Sequence, residues 1–468
     1  MWPGKTRKGI VLAAAIGVLV GIGLLTVFLA VGSASSSKRE LVRAASATPA
    51  PQEPSAASAA TDSPSPTPTP TPTTYSHFGL LDGVEMTEEE WDARKDLLPL
   101  AVMFDNSDQA FPHSGLGSAD VIYEAFVEGG ITRLMAVYWR RNADYLEPIR
   151  SARTPFVVWA AELGALFAHA GGPNTDDDAD AIGQIARWGV RDLNAFGPIA
   201  DEYYRDPDRE GPHDLATSTA ALREGGVRMG FAGPPTVESW LFRDSSTAPL
   251  AGVAAEGIEI DFGERRSQWQ LMQYRWDQST RTYSRHQYGV QHLDGRTREP
   301  LRFTTVIALR APFVVVDDEG HVVVDQIGSG KATVFSDGLA VDAIWKKPGR
   351  DARTRFFDAN GAEIQFARGP IFIEVIGPAS SVLVKARADD LPDLPPYVAP
   401  PPFVPTPEPE ETITTTPTPG PTSAATQSVT PPVPTKTLPT GTAVPPPTTT
   451  ATPPSTPVPP PTGTVAQP

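Results

Sequence analysis

The chain has 468 residues, a formal net charge of −16, 51 prolines and no cysteine. Of the prolines, 25 lie in residues 395–468 and eight in residues 33–74, which leaves a foldable part of about 320 residues, room for two ordinary domains. That part carries a charge of about −17, which argues against a nucleic-acid partner, and the missing cysteines exclude a disulfide framework, a Cys-ligated metal, a thiol nucleophile and a lipidated cysteine.

Residues 1–9 form a basic segment with Lys5, Arg7 and Lys8, expected on the cytoplasmic side. Residues 10–32 contain no charge; as a helix they measure ~34 Å, enough to cross a ~30 Å hydrocarbon core. An uncleaved transmembrane helix is the leading expectation. A cleaved signal peptide and a soluble buried helix are the alternatives. Either membrane reading puts the rest of the chain outside the cytoplasm, as the ectodomain of a single-pass cell-membrane protein. Residues 33–75 are rich in Pro, Ser, Thr and Ala and are expected to be a disordered stalk of ~36 Å reach. Residues 392–468 repeat that composition as a Pro/Thr-rich tail.

Between these tracts the pattern is that of an α+β protein: an N-terminal α/β domain over residues 76–250 and a mostly β C-terminal domain over 255–380. Leu98 to Phe104 is an apolar run closed by Asp105-Asn106, read as a strand ending in a polar turn. Val121 to Trp139 holds two apolar stretches around Gly129-Gly130, a hairpin signal. Thr154-Pro155 opens a helix ending near Leu163, with Thr154 as the expected N-cap. A strand over Ala165–His169 and a helix over Ala179–Trp188 follow. From Ile258 the helices fade, and eight strand-like runs lie between Gln268 and Val375.

The hairpin carries the most readable constellation. A two-residue turn at Gly129-Gly130 sets Phe126 opposite Arg133, so Glu124 and Glu128 share a face with Arg133 and flank it. This reads as a structural ion cluster or as part of a polar pocket. Arg150 and Arg153 precede the helix at Thr154, where the positive end of the helix dipole and two guanidiniums suit a phosphate or carboxylate. The alternative is pairing with nearby glutamates. His169 ends an apolar strand before Gly171-Gly172, the place where α/β sheets hold ligands. His213, beside Asp214, is a candidate general base. Asp176, Asp178 and Asp180 open like a calcium loop, but Ala181 stands where Gly is needed, so acidic residues in a first helical turn explain them better. Gly328-Ser329-Gly330-Lys331 lacks the first Gly and the final Ser/Thr of a phosphate loop and reads as a turn between strands.

Taken in order, several segments resemble the YerB-like bacterial lipoproteins. They are Ala101–Asn106, Ser114-Gly115-Leu116, Tyr123-Glu124, Glu128–Arg133, Pro148–Arg153, His169–Gly172 and Pro212-His213, then Gly328–Ala332, Asp337-Gly338, Trp345-Lys346 and Gly369-Pro370. The resemblance spans about residues 78–378. It implies a recurrent pair of domains on the outer face of the membrane, and no reaction. Without cysteine this chain departs from the lipidated pattern, and residues 10–32 would supply the anchor instead.

The resulting expectation is an envelope protein whose ligand face gathers Asp105, Glu124, Glu128, Arg133, Arg150, Arg153, His169 and His213. It would bind an anionic or glycan cell-wall ligand or a wall-assembly partner. No metal and no cofactor are expected. The rivals are a hydrolase of envelope glycan or phosphodiester, with Glu124 or His213 as base, and a structural spacer.

Overall fold

The computed structural model describes residues 75–395 except 245 and 264–269. The expected transmembrane helix, the stalk and the tail beyond residue 395 lie outside the described residues. Among the described residues, no helix is long and apolar enough to cross a membrane.

The first half of the chain supplies β1 (Leu100–Asp105), β2 (Val121–Phe126) and β3 (Thr132–Tyr138). Then come α1 (Thr154–Glu162), β4 (Leu166–His169), α2 (Ala181–Trp188), β5 (Arg191–Asn194) and α3 (Thr219–Arg228). The second half supplies β6 (Gly257–Asp261), β7 (Leu271–Asp277), β8 (Thr282–Gln287), β9 (Thr305–Arg310), β10 (Phe313–Val315) and β11 (Val322–Val324). It ends with β12 (Gly328–Ser336), β13 (Leu339–Lys347), β14 (Ile371–Ile376) and β15 (Ser381–Lys385). Among the described residues, helices are confined to the first half apart from one short 3-10 turn.

Both halves contribute to one mixed sheet of 11 strands whose central order is β13-β12-β9-β14-β2-β3-β1-β4-β5. The seam is the parallel pair of β14 and β2, in which Ile373 stands beside Tyr123 and Glu374 beside Glu124. β1, β2, β3, β4 and β14 are buried at every position. This is the near-continuous apolar signature of strands covered on both faces. Along β1, Leu100, Val102 and Phe104 face one core with Ile258, Ile260, Met272 and Tyr274 of the second, antiparallel sheet (order β8-β7-β6-β15). Ala101 and Met103 face the other core, with Phe156, Val157 and Trp159 of α1 and Ile185 of α2. Burying each such large side chain is worth about 1.5–3 kcal/mol before entropy is charged. These two closed cores make residues 75–395 a folded body in its own right.

Three local expectations need correction. The N-cap of α1 is Arg153, not Thr154, whose hydroxyl donates to the carbonyl of Val322 at 3.4 Å. The acidic run at 176–180 lies before α2 rather than in its first turn; Asp180 caps the helix by accepting from the Gly183 N–H at 2.8 Å. Gly328–Lys331 is no turn but the start of β12, where a Cβ on Gly330 would meet the Trp345 ring at 2.5 Å.

Candidate functional site

The hairpin is one residue longer at its tip than the sequence suggests. The Val127 N–H donates to Ile131 at 3.0 Å, closing a loop of Glu128, Gly129 and Gly130. Gly129 and Gly130 both have positive φ, 68° and 73°, which glycine adopts without steric cost. The register is therefore Phe126 opposite Thr132, Ala125 opposite Arg133 and Glu124 opposite Leu134. A shift of one residue sends each side chain to the other face of the sheet. Glu124 thus stands on the face covered by the second sheet, and Arg133 stands on the face of α1.

On the α1 side, at the ends of β1 and β3, charges do converge. Asp105 is the register partner of Arg133. Its carboxylate accepts from Arg150 Nε at 3.0 Å and lies 3.0 Å from His213 Nδ1. Glu128 meets Arg133 at 3.1 Å and takes two bonds from Arg153, one at 2.6 Å from Nε. Arg133 also donates to the Ser151 carbonyl at 2.9 Å. The segment carrying Arg150 and Arg153 is fixed as a strand-like neighbour: Asp105 N–H donates to Pro148, Arg150 N–H to Met103, and Ala170 N–H to Arg150. Six of the eight expected residues therefore form one cluster, with three guanidiniums against two carboxylates. Arg150 is its most open cation, 27% exposed at the side chain against 11% for Arg153 and 3% for Arg133.

The electrostatics follow from burial opposed by pairing. Burial pushes Asp105 up, but the His213 bond and the Arg133 and Arg150 charges outweigh it and hold the carboxyl well below the usual range. Glu128 is likewise raised by burial, yet Arg153 and Arg133 bring it down to about 2. Arg133 is lowered to about 10, by burial first and by the repulsion of Arg153 next. The ion pairs are thus locked in the charged state at neutral pH.

Two expected members lie elsewhere. His169 is fully buried on β4, between the carboxylate of Asp192 at 2.9 Å and the carbonyl of Gly171 at 2.8 Å. Glu124 is fully buried and pairs with Arg285 of β8 at 2.6 Å, while Thr132 and Asn106 donate to its other oxygen at 2.6 and 2.9 Å. From Arg285 a polar chain leads back toward β1. Arg285 donates to His292 Nδ1 at 2.8 Å, His292 Nε2 and His113 Nδ1 are 3.0 Å apart, and His113 Nε2 meets the Asp105 carbonyl at 2.6 Å. Burial lowers both histidines, His113 to about 4. In the neutral state each ring can donate once and accept once, and the chain runs consistently in one direction. Glu374, beside Glu124 across the seam, accepts from Tyr274; burial and the Glu124 charge raise its carboxyl well above the ordinary range.

Arg285, His113, His292 and Glu374 were missed in the sequence. The signal for Glu374 was present, a carboxylate inside the apolar run Ile371–Ile376, since such a group is not buried without a partner. No comparable signal marks the histidines, which come from loops 179 residues apart in the chain.

The architecture is thus a helix-covered half and a mostly antiparallel, strand-rich half, whose one internal parallel strand pair among the described residues is β9 with β14, fused through one sheet. Comparison with known proteins gives that pair an identity. Residues 83–232 match the family model described as a protein of unknown function (DUF3048), N-terminal domain, and residues 258–373 match its C-terminal domain. The "Putative lipoprotein YerB" of Bacillus subtilis (strain 168) is 25% identical over 291 residues, 62% of this chain and 83% of that protein. The crystal structure of YerB from Bacillus subtilis is similar with a TM-score of 0.57 at 23% identity, covering 66% of this chain and 100% of that one. The chain belongs to the YerB-like family.

Proposed function

We propose that this chain is a membrane-tethered extracytoplasmic protein whose folded body binds an anionic ligand of the cell envelope at the Arg133–Arg150–Arg153 cluster. The tether rests on the uncharged stretch 10–32 and on the lipoprotein name of the relative in Bacillus subtilis. The observation that carries the binding reading is the excess of guanidiniums over carboxylates where β1 ends and β3 begins, with Arg150 the most exposed of the three. A guanidinium fork is suited to phosphate or carboxylate oxygens in two-bond geometry.

The hydrolase reading draws less support. Glu124 is paired with Arg285 on the opposite face of the sheet, and His213 has both ring nitrogens against protein oxygens, of Asp105 and Gln109. Titration calorimetry on residues 75–395, with butyl phosphate and a glycerol phosphate polymer as probes, tests the proposal. Saturable binding is expected, weakened about tenfold or more by Arg150→Ala combined with Arg153→Ala and weakened by added salt. No binding to either probe would overturn it, and release of glycerol phosphate from the polymer would favour the hydrolase.

A further inference from the structure

The charged cluster has an apolar neighbour. Beside the hairpin tip lies a cavity of about 270 Å³ whose walls include Phe126, Val127, Phe313, Val315 and Val322. None of the residues lining it is charged. Its floor is aromatic: the rings of Phe126 and Phe313 lie 5.3 Å apart, and Phe126 also packs edge-on against Phe262 at 5.2 Å. One wall is the small hairpin of β10 and β11, in which Val315 pairs with Val322. That hairpin leaves Val314 and Val315 59% and 62% exposed, Val315 on the groove side.

Groove and cluster share a border. Glu128, which holds Arg133 and Arg153, sits between Val127 and Gly129, both of which line the groove. On the other side, Thr154, next to Arg153, donates to the carbonyl of Val322. The groove's Phe126 faces the second-sheet side and the arginines the α1 side, so the two features meet around the hairpin tip, where Arg153 is one residue from the groove wall through both Glu128 and Thr154. An extended hydrocarbon chain satisfies such a trough because it has no polar group to leave unpaired. The excess positive charge of the cluster complements an anionic head, and a neutral glycan would use neither feature.

We infer that the ligand is an anionic amphiphile of the phosphorylated acyl- or prenyl-chain class, with its head at Arg150 and Arg153 and its chain in the groove between the β2–β3 tip and the β10–β11 hairpin. This rests on the anion-binding reading above and names the ligand class of that site. The association is non-covalent, and the chain contributes by leaving water.

The test compares n-dodecyl phosphate, below its micellar concentration, with butyl phosphate on residues 75–395. The same head with eight more methylenes, about half of them covered by the groove, should bind about a hundredfold more tightly. Val315→Asp, at an exposed groove position, should abolish that gain, while butyl phosphate, which reaches the groove with four carbons at most, should weaken far less. Val314→Asp, on the other side of the same strand, should preserve it. Arg150→Ala with Arg153→Ala should weaken both ligands alike. If butyl phosphate binds and the longer chain adds nothing, the inference falls and the anion site stands. If neither ligand binds, both fall. A chain-length gain that survives Val315→Asp, or one seen only with micelles or vesicles, overturns the assignment of the groove.

Discussion

Glu124 and Arg133 occupy neighbouring strands and never meet, because the hairpin tip holds three residues rather than two. Their separate partners lead to separate expectations. Glu124 and Arg285 are both fully buried, and removing one partner of such a pair strands an uncompensated charge, at a cost of about 3–5 kcal/mol. Glu124→Ala should lower the urea-unfolding free energy by that order. Glu374→Gln should cost less than about 1 kcal/mol, since burial and the Glu124 charge favour the neutral form of that carboxyl, which the amide resembles. Equal losses in the two variants would contradict the protonation assigned to Glu374. Glu128 and Asp105 give a sign in pH. Both are held below their ordinary values of 4.5 and 3.8. Their stabilisation is therefore complete above those values and fades as pH falls, for Glu128 between 4.5 and about 2. The melting temperature should drop across that window, and Glu128→Gln should flatten the slope.

At the scale of elements, the relay of Arg285, His292 and His113 ties the loop after β1 to β8 and the turn that follows it. A histidine whose folded value lies below its unfolded 6.5 binds fewer protons in the folded state. Stability is then lost as pH falls from 6.5 toward the folded value, about 4 for His113. Amide exchange should show the segment 106–115 opening faster at pH 4.5 than at 7, after correction for intrinsic exchange. An unchanged opening free energy there would count against the relay as a structural tie. Most of the elements themselves could be read beforehand. Thr282–Gln287 is a strand over its full expected length, and α1 lies within one residue of expectation at either end. Alternation and turn residues act locally, so they survive in one dimension. The hairpin register was not readable in the same way, because Glu-Gly-Gly and Gly-Gly turns differ only in which bond closes first.

For the whole molecule, the seam between β14 and β2 decides cooperativity. The two halves share one sheet, so heat should unfold residues 75–395 in a single calorimetric transition. Residues 75–250 alone lose β14 and expose the edge of β2, a buried run of Val, Ile, Tyr, Glu, Ala and Phe. That edge is an aggregation template, and this fragment should be insoluble where residues 75–395 are soluble. A soluble fragment with a sharp melt would show that the halves fold independently.

Length, charge and proline distribution were sufficient to delimit a folded acidic body flanked by Pro/Thr-rich tracts, because composition alone decides whether a segment can bury enough apolar surface. The pair of arginines before α1, Arg150 and Arg153, was equally visible, since it depends on neighbours a few residues apart. What tertiary structure decided is which charges meet. It brought Asp105, Glu128 and His213 to those arginines, sent Glu124 and His169 elsewhere, and set an apolar groove beside the cluster. Those outcomes depend on strand register and on contacts across more than a hundred residues, and no local pattern encodes the single hydrogen bond that selects one face of a sheet over the other.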